Sequence, residues 1–392
     1  MAGSVCLVTV HGIGFQRAAK DGGGVAGYAD QLHDHLHEVL RDDLGDDPRR
    51  SSGPVYVSSE WNGSPADGLA RLDPDAALAK PGKIAHVALV YSPSESLKPH
   101  PAETAGALAR AAASHHRYAS APGILRLLLS DAWAALHEKD QGGATSNLVP
   151  RGDLRHHGIL AHLLHQGDRP PDEGPTPPPG ALGVLAALED DIATYIARNE
   201  LRERVRGFVQ HALLALLGRR KDVSAIVLNT HSQGTVLCWD VLCRLPFSTW
   251  VGEADSPASR VPHFVTAGSP IRKYVRMFAW GNQVGELSSM LPSGRMAWSN
   301  FCDPHDPVGD PLSPPKGWRP GQPWDPATSS KDALLLARNF KDGSFARFPI
   351  TDTAVDNIQH SAGGGLQAHD YWNNTREFVP RLAKILSGAS RP

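Results

Sequence analysis

Very little in this chain marks it for a membrane, for nucleic acid or for an oxidising compartment. Its four cysteines, Cys6, Cys238, Cys243 and Cys302, each lie in or beside an apolar segment, and none has metal-ligand spacing. That usage speaks against a disulfide framework and for reduced, buried thiols in a cytoplasmic protein. No apolar run approaches the length needed to cross a bilayer, and the longest, around 212–217, is far too brief, so no integral membrane association is expected. The first apolar run, Val5-Cys6-Leu7-Val8-Thr9-Val10, has no basic segment before it and is too short for the core of a signal peptide, so it is read as a first strand. Charge runs are missing too: 39 Lys and Arg stand against 41 Asp and Glu, which leaves no electrostatic footprint for nucleic acid or an anionic membrane. Small molecules are the partners this balance leaves. There is no G-x-G-x-x-G after the first strand, and Asp21-Gly22-Gly23-Gly24 comes too late and too polar to open a phosphate-binding helix, which argues against a dinucleotide site.

What the chain does have is room and alternation. Its 392 residues can bury a sizeable core. Strand patterns at 4–10, 54–59 and 84–91 enclose a helical pattern at 28–44 carried by Leu32, Leu36, Val39 and Leu40. A long helix is expected over 185–217, then a strand through Ala225-Ile226-Val227-Leu228. Further strands are expected at 263–266, 296–301 and 345–350, with a closing amphipathic helix over 371–386. Alternation of this kind implies an α/β protein with a mainly parallel sheet flanked by helices. The pattern loosens between Ser92 and Gly183, where Ala/His-rich helical stretches precede Arg169-Pro170-Pro171-Asp172-Glu173-Gly174-Pro175-Thr176-Pro177-Pro178-Pro179. A proline run of that kind cannot enter a central strand or a helix interior. Residues 93–183 are therefore read as a helical, cap-like insertion between two parts of one core, 1–92 and 184–392. His33, His35 and His37 lie on the first helix, where His33 and His37 share a face; with no acid or thiol placed beside them they are expected on a solvated face, and no metal site is assigned.

The most informative stretch is Asn229-Thr230-His231-Ser232-Gln233-Gly234-Thr235, where an apolar strand ends in a tight turn and a helix opens with Val236-Leu237-Cys238-Trp239. A strand–turn–helix carrying one serine is the layout of a nucleophile elbow, which lifts the hydroxyl clear of the sheet and presents the next amide to a developing oxyanion. Ser232 is the candidate nucleophile and Gln233 the candidate amide. Small residues are wanted two before and two after the serine; Gly234 satisfies the second demand and Thr230 departs from the first.

A serine hydroxyl needs an imidazole to take its proton and a carboxylate to orient that imidazole, in the chain order Ser, Asp or Glu, His. The acid-rich turn Cys302-Asp303-Pro304-His305-Asp306-Pro307-Val308 offers Asp306, with Asp303 as the competitor. His369-Asp370-Tyr371-Trp372, just before the last helix, offers His369, with His360 as the alternative. After the first strand, His11-Gly12-Ile13-Gly14 can bring a second amide, that of Ile13, to the oxyanion, and its glycines allow close backbone approach. Ala267-Gly268-Ser269-Pro270 is a further small-residue turn at a strand end, expected to line the same crevice, and Trp318 lies on the Pro-rich loop after the acid. His11, Gly12, Gly14, His231, Gly268, Ser269 and Trp318 are thus the candidate substrate-lining residues.

Taken in order, these segments resemble the α/β-hydrolase superfamily, in its lipase-like or serine-esterase-like branches. The resemblance covers the core and leaves the insertion unmatched. It favours Asp306 over Asp303, because Asp-Pro-Val recurs at this place in the family. It implies an α/β-hydrolase fold, cleavage of a carboxylic ester through a Ser232–His369–Asp306 triad and an acyl-enzyme, a small ester or acyl substrate, and no metal or organic cofactor. The same triad would serve a thioesterase or an acyltransferase, and a noncatalytic binding protein on the same fold is the reading from another class.

Overall fold

The computed structural model describes residues 4–12, 27–59, 68–80, 82–91, 195, 199–242, 260–272, 296–306, 308–312, 336–338, 345–347, 350–361 and 367–390. The expected insertion at 93–183 lies outside the described residues, as do Ile13, Gly14, Trp318 and Cys243. Among the described residues the chain forms an eight-stranded parallel sheet flanked by helices. Its elements are β1 (Ser4–Val10), α1 (Asp30–Leu40), β2 (Leu44–Gly45), β3 (Val55–Ser58), β4 (Ile84–Val90), α2 (Asn199–Leu214), β5 (Val223–His231), α3 (Gln233–Leu242), β6 (His263–Ala267) and β7 (Ala297–Cys302). They are followed by β8 (Leu336–Arg338), β9 (Phe345–Arg347), β10 (Ile350–Ala354), α4 (Asn357–His360) and α5 (Phe378–Ala389).

Across the sheet the order is β10-β7-β6-β5-β1-β4, with β2 and β3 both paired to β4, and every pairing is parallel. β8 and β9 form a separate antiparallel pair. The central strands earn their places by composition. β1 and β4 are apolar almost throughout and buried along their length, the pattern of strands covered on both faces. Alternate residues divide between the faces. Val5, Leu7, Val227, Val265 and Phe301 pack with Leu32, Leu36 and Leu40 of α1 and with Phe378, Leu382 and Leu386 of α5. Residues of the other parity, Cys6, Val8, Val10, Ile226, Leu228 and Phe264, are equally buried. α3, buried along its whole length, packs on that side against β1, β5 and α2.

From β1 the chain passes to β2 and β3 at one edge and returns to β4 beside β1, then crosses to β5 on the other side of β1 and continues outward through β6, β7 and β10. The strand order therefore reverses between β1 and β5, and in an open parallel sheet such a switch point leaves a crevice at the carboxyl ends of the strands. Register keeps those ends level: Val10 lies beside Thr230, His231 beside Ala267, and Ala267 beside Phe301. No described helix is long and apolar enough to cross a membrane.

Three expectations are corrected by local chemistry. The strand read over 345–350 is two: β9 pairs only with β8, and the sheet edge is β10, whose Ile350-Thr351-Asp352-Thr353-Ala354 carries no apolar run. The last helix starts at Phe378 rather than at 371, because 371–377 are occupied by turns in which Asn374 N–H donates to the Tyr371 carbonyl and Glu377 N–H donates to Asn374 Oδ1. Asn side chains that bond the backbone locally compete with a helix in this way. His33 is not on a solvated face. It is fully buried, with Nδ1 at 3.0 Å from His86 Nδ1 and Nε2 at 3.0 Å from Asp46 Oδ1. His86 is fully buried in β4, and α1 brings His33 as its partner. With both rings neutral, one proton arrangement satisfies the row: Asn229 Nδ2 donates to Thr9 Oγ1, Thr9 to His86 Nε2, His86 Nδ1–H to His33 Nδ1, and His33 Nε2–H to Asp46.

Candidate active site

The described segments that leave the carboxyl ends of β1, β5, β6, β7 and β10 contact one another in turn along that edge of the sheet. Ser232 stands between β5 and α3 with φ 52°, in the left-handed region that a non-glycine residue enters at a cost of about 1–3 kcal/mol. The turn is held at both ends. Ser232 N–H donates to the Ala267 carbonyl at the end of β6 (2.9 Å), and its own carbonyl accepts from Thr235 N–H (3.0 Å) and Thr235 Oγ1 (2.7 Å) in the first turn of α3.

Glycines make room for this arrangement. A Cβ on Gly234 would overlap the His11 carbonyl oxygen, so α3 can pass the end of β1 only with glycine there. A Cβ on Gly12 would sit 2.5 Å from Ser232 Cβ. Thr230 does not obstruct the turn, since it is fully buried and its hydroxyl donates to the Val265 carbonyl of β6 at 2.9 Å. The departure from a small residue is thus absorbed by the neighbouring strand.

His369, 63 residues beyond Asp306, comes to the same edge in a short 3-10 turn. Its Nδ1–H donates to Asp306, at 3.0 Å from Oδ1 and 2.9 Å from Oδ2. Asp306 also accepts from Val308 N–H (2.8 Å) and from the Tyr371 hydroxyl (2.8 Å). Burial by itself would raise this carboxyl; the His369 ring and these donors outweigh it and hold Asp306 below the usual range. The imidazole lies against Gly268 (φ 59°), where a Cβ would stand 2.6 Å from His369 Cε1. The next glycine along the edge is Gly309, whose Cβ would meet Asp306 Oδ2 and the Gly268 Cα, both at 2.6 Å.

Asp303, the competing acid, faces the turn and not the imidazole. Its carboxylate accepts from the amides of His305 and Asn357, both at 2.7 Å, while burial and the nearby Asp306 charge raise its pKa. His360 closes α4 and lies apart from this carboxylate pair in the hydrogen-bonding pattern, its amide donating to the Asp356 carbonyl.

The other candidate residues divide by task. Gln233 opens α3 beside the serine. His231 Nε2–H donates to the His369 carbonyl (2.9 Å), and the two rings lie 4.5 Å apart. His11 stacks on Tyr91 at 4.1 Å; its Nδ1 bonds the Gly12 carbonyl and its Nε2 accepts from Tyr91 N–H. Burial pushes His11 down to about 3, and burial together with His369 does the same for His231, so both rings are neutral. Ser269 is fully buried with its hydroxyl 2.9 Å from Thr235 Oγ1, a brace between the β6 turn and α3. Tyr371, Asn357 and Gly309 were not singled out from sequence. Tyr371 lies two residues beyond His369, but nothing in its spacing announces a bond to the acid. Among the described residues no group of three or more His, Cys, Asp or Glu could hold a metal ion.

Ser232 Oγ and His369 Nε2 are among the buried side-chain atoms that have no hydrogen-bond partner among the described residues, and so are not bonded to each other. Ala267 and Gly268 link them, the first through its carbonyl to the Ser232 amide and the second by carrying the His369 ring. No protein-family model, curated protein or solved structure matches the chain.

The buried neutral histidines also set an acid limit to folding. His86 is held well below its ordinary value by burial and by His33, and His11 is down to about 3 by burial. An unfolded histidine titrates near about 6.5, so below that pH the unfolded chain binds protons that the folded chain refuses, and stability falls as pH falls. Each of these two histidines contributes a loss of up to about 1.4 kcal/mol per pH unit below 6.5. The melting temperature should therefore drop steadily between pH 6.5 and 5, and His86→Asn should flatten that slope. An unchanged slope in the variant would contradict the assignment.

Proposed function

We propose that the chain is a serine hydrolase of α/β-hydrolase architecture, cleaving a carboxylic ester through an acyl-enzyme. The observation that carries the reading is the pair of buried, unpartnered atoms, Ser232 Oγ and His369 Nε2, on a histidine whose other nitrogen is fixed by Asp306. Nδ1 must carry a proton to donate to a carboxylate, so the neutral imidazole presents a bare lone pair at Nε2, the state a general base requires. The strained Ser232 turn and the chain order serine, aspartate, histidine support the same reading.

In acylation, the Ser232 hydroxyl proton passes to His369 Nε2 as Oγ bonds the substrate carbonyl carbon, and the carbonyl electrons move onto oxygen. The Gln233 amide, at the N-terminus of α3, and an amide of the loop after β1, assigned to Ile13, receive that oxyanion. Collapse of the intermediate breaks the carbon–oxygen bond to the alcohol, which leaves with the proton from Nε2. Water then repeats the sequence against the acyl-enzyme, releases the acid and restores Ser232. Asp306 stabilises the imidazolium in both halves and stays ionised throughout.

The purified protein should turn over p-nitrophenyl esters and lose that activity on treatment with a fluorophosphonate. The preferred acyl length would measure the pocket. A folded protein inert toward a series of esters and thioesters would sink the reading.

A further inference from the structure

The Asp306 carboxylate has a donor that the triad chemistry does not require. Tyr371 is fully buried, and its hydroxyl makes two bonds: it accepts from the Asp303 amide at 2.8 Å and lies 2.8 Å from Asp306 Oδ2. A phenol has one proton, and the Asp303 N–H can only donate, so the proton points at Asp306.

These two bonds belong to a closed circuit. Asp303 Oδ2 accepts from the Asn357 amide (2.7 Å), Asn357 Nδ2 donates to the Ala368 carbonyl (2.8 Å), and the next residue is His369, bonded back to Asp306. Asn374 Nδ2 fixes the remaining end of Asn357 at Oδ1 (2.9 Å). The turn after β7, the start of α4 and the turn bearing His369 are thereby tied into one ring, and Tyr371 is the member whose proton reaches the acid.

Resting on the triad reading above, we infer that Tyr371 is a positioning residue that holds Asp306 in register with His369 and, through the strength of its hydrogen bond, sets how basic the Asp306–His369 pair is. A donor on Oδ2 draws negative charge away from the side of the carboxylate that faces the imidazole. Weakening the donor makes the carboxylate more basic and stabilises the imidazolium; strengthening it does the reverse. The other titratable groups around the pair are Asp303 and Cys302 from β7 and its turn, Asp310 and Asp352 beside Cys302, His231 from the end of β5 and His11 from the end of β1. None of them stands between Tyr371 and Asp306. Burial and the adjacent Asp306 charge raise Tyr371 well above an ordinary phenol, so it keeps its proton over the pH range of the assay.

The test separates loss of the hydroxyl from a change in its donor strength: Tyr371→Phe removes both the bond to Asp306 and the acceptor of the Asp303 amide, whereas fluorotyrosine keeps both bonds and strengthens the donor. Tyr371→Phe retains the packing against Phe378 and His369. It should lower kcat/KM about tenfold and move the acid limb of the kcat/KM profile upward by about half a pH unit. Fluorotyrosine at position 371 is a stronger donor and should move the limb in the opposite direction, which a merely structural role would not do. The downfield proton resonance of His369 Nδ1–H should shift in opposite senses in the two proteins, and this readout does not depend on turnover. Limbs and resonances that stay fixed in both proteins while wild type hydrolyses esters would overturn the role of Tyr371 and leave the triad standing. Opposite resonance shifts in a protein that turns over no ester would support the hydrogen bond and remove the catalytic reading.

Discussion

Ser232→Ala should abolish ester turnover, with a fall in kcat of about a millionfold and an unchanged melting profile at neutral pH. Folding should survive because Ser232 Oγ makes no hydrogen bond among the described residues; the turn is held by its main chain and by Thr235. Alanine keeps the Cβ that packs against Gly12, so nothing else at the switch point needs to move. The left-handed φ is as costly for alanine as for serine, so the variant neither relieves nor adds strain. Loss of turnover in a protein that melts normally is the pattern expected when a nucleophile is removed. Retained turnover in the pure variant would assign the chemistry to another group.

Asp306→Asn is the second large effect, a loss of about 10⁴-fold in kcat. The substitution is nearly isosteric, but an amide can accept at only one atom, and Asp306 accepts from three groups: His369 Nδ1–H, Val308 N–H and the Tyr371 hydroxyl. If the asparagine oxygen keeps the Oδ1 place and accepts from Val308 N–H, its NH2 takes the Oδ2 place beside Tyr371 and 2.9 Å from His369 Nδ1, and the imidazole must place its proton on Nε2. A base that already holds a proton at the reacting nitrogen cannot take one from Ser232. Asp303→Asn is the comparison. That carboxylate serves the amides of His305 and Asn357, so its loss should register mainly in stability. Equal losses of turnover in the two variants would leave the choice of acid unsupported.

What could be read in the sequence follows from what each segment must satisfy. β1 and β4 are buried on both faces, so continuous apolar runs marked them almost to the residue. β10 was missed because a sheet-edge strand needs no such run; its Asp352 is buried for a polar reason, accepting from Asn300 Nδ2 and Leu312 N–H. The last helix was drawn too long because 371–377 carry helix-compatible spacing, while Tyr371 and Asn374 are committed to bonds that the turns provide.

The candidate site was legible where chemistry restricts residue type: a serine at a strand-to-helix turn, an acid after a later strand, a histidine before the last helix. The structure brings Asp306 and His369 into contact across 63 residues. It also explains Gly234 and accommodates Thr230 through a bond to the adjacent strand. The circuit through Tyr371, Asp303 and Asn357 was not legible, because each residue is ordinary alone and the bonds that join Asp303 to Tyr371 and Asn357 span 68 and 54 positions. The His33–His86 row was misread for the same reason, since the helix face of His33 looks polar until β4 supplies its partner.

The central claim is that Ser232 is activated by His369 and Asp306 at the carboxyl edge of the sheet. Reaction of the folded protein with a fluorophosphonate, followed by peptide mapping of the adduct, tests it most directly. One phosphonyl group per chain, located on Ser232 and lost in His369→Ala, is the result this account predicts. A folded protein that remains unlabelled, or an adduct on a different residue, would contradict it.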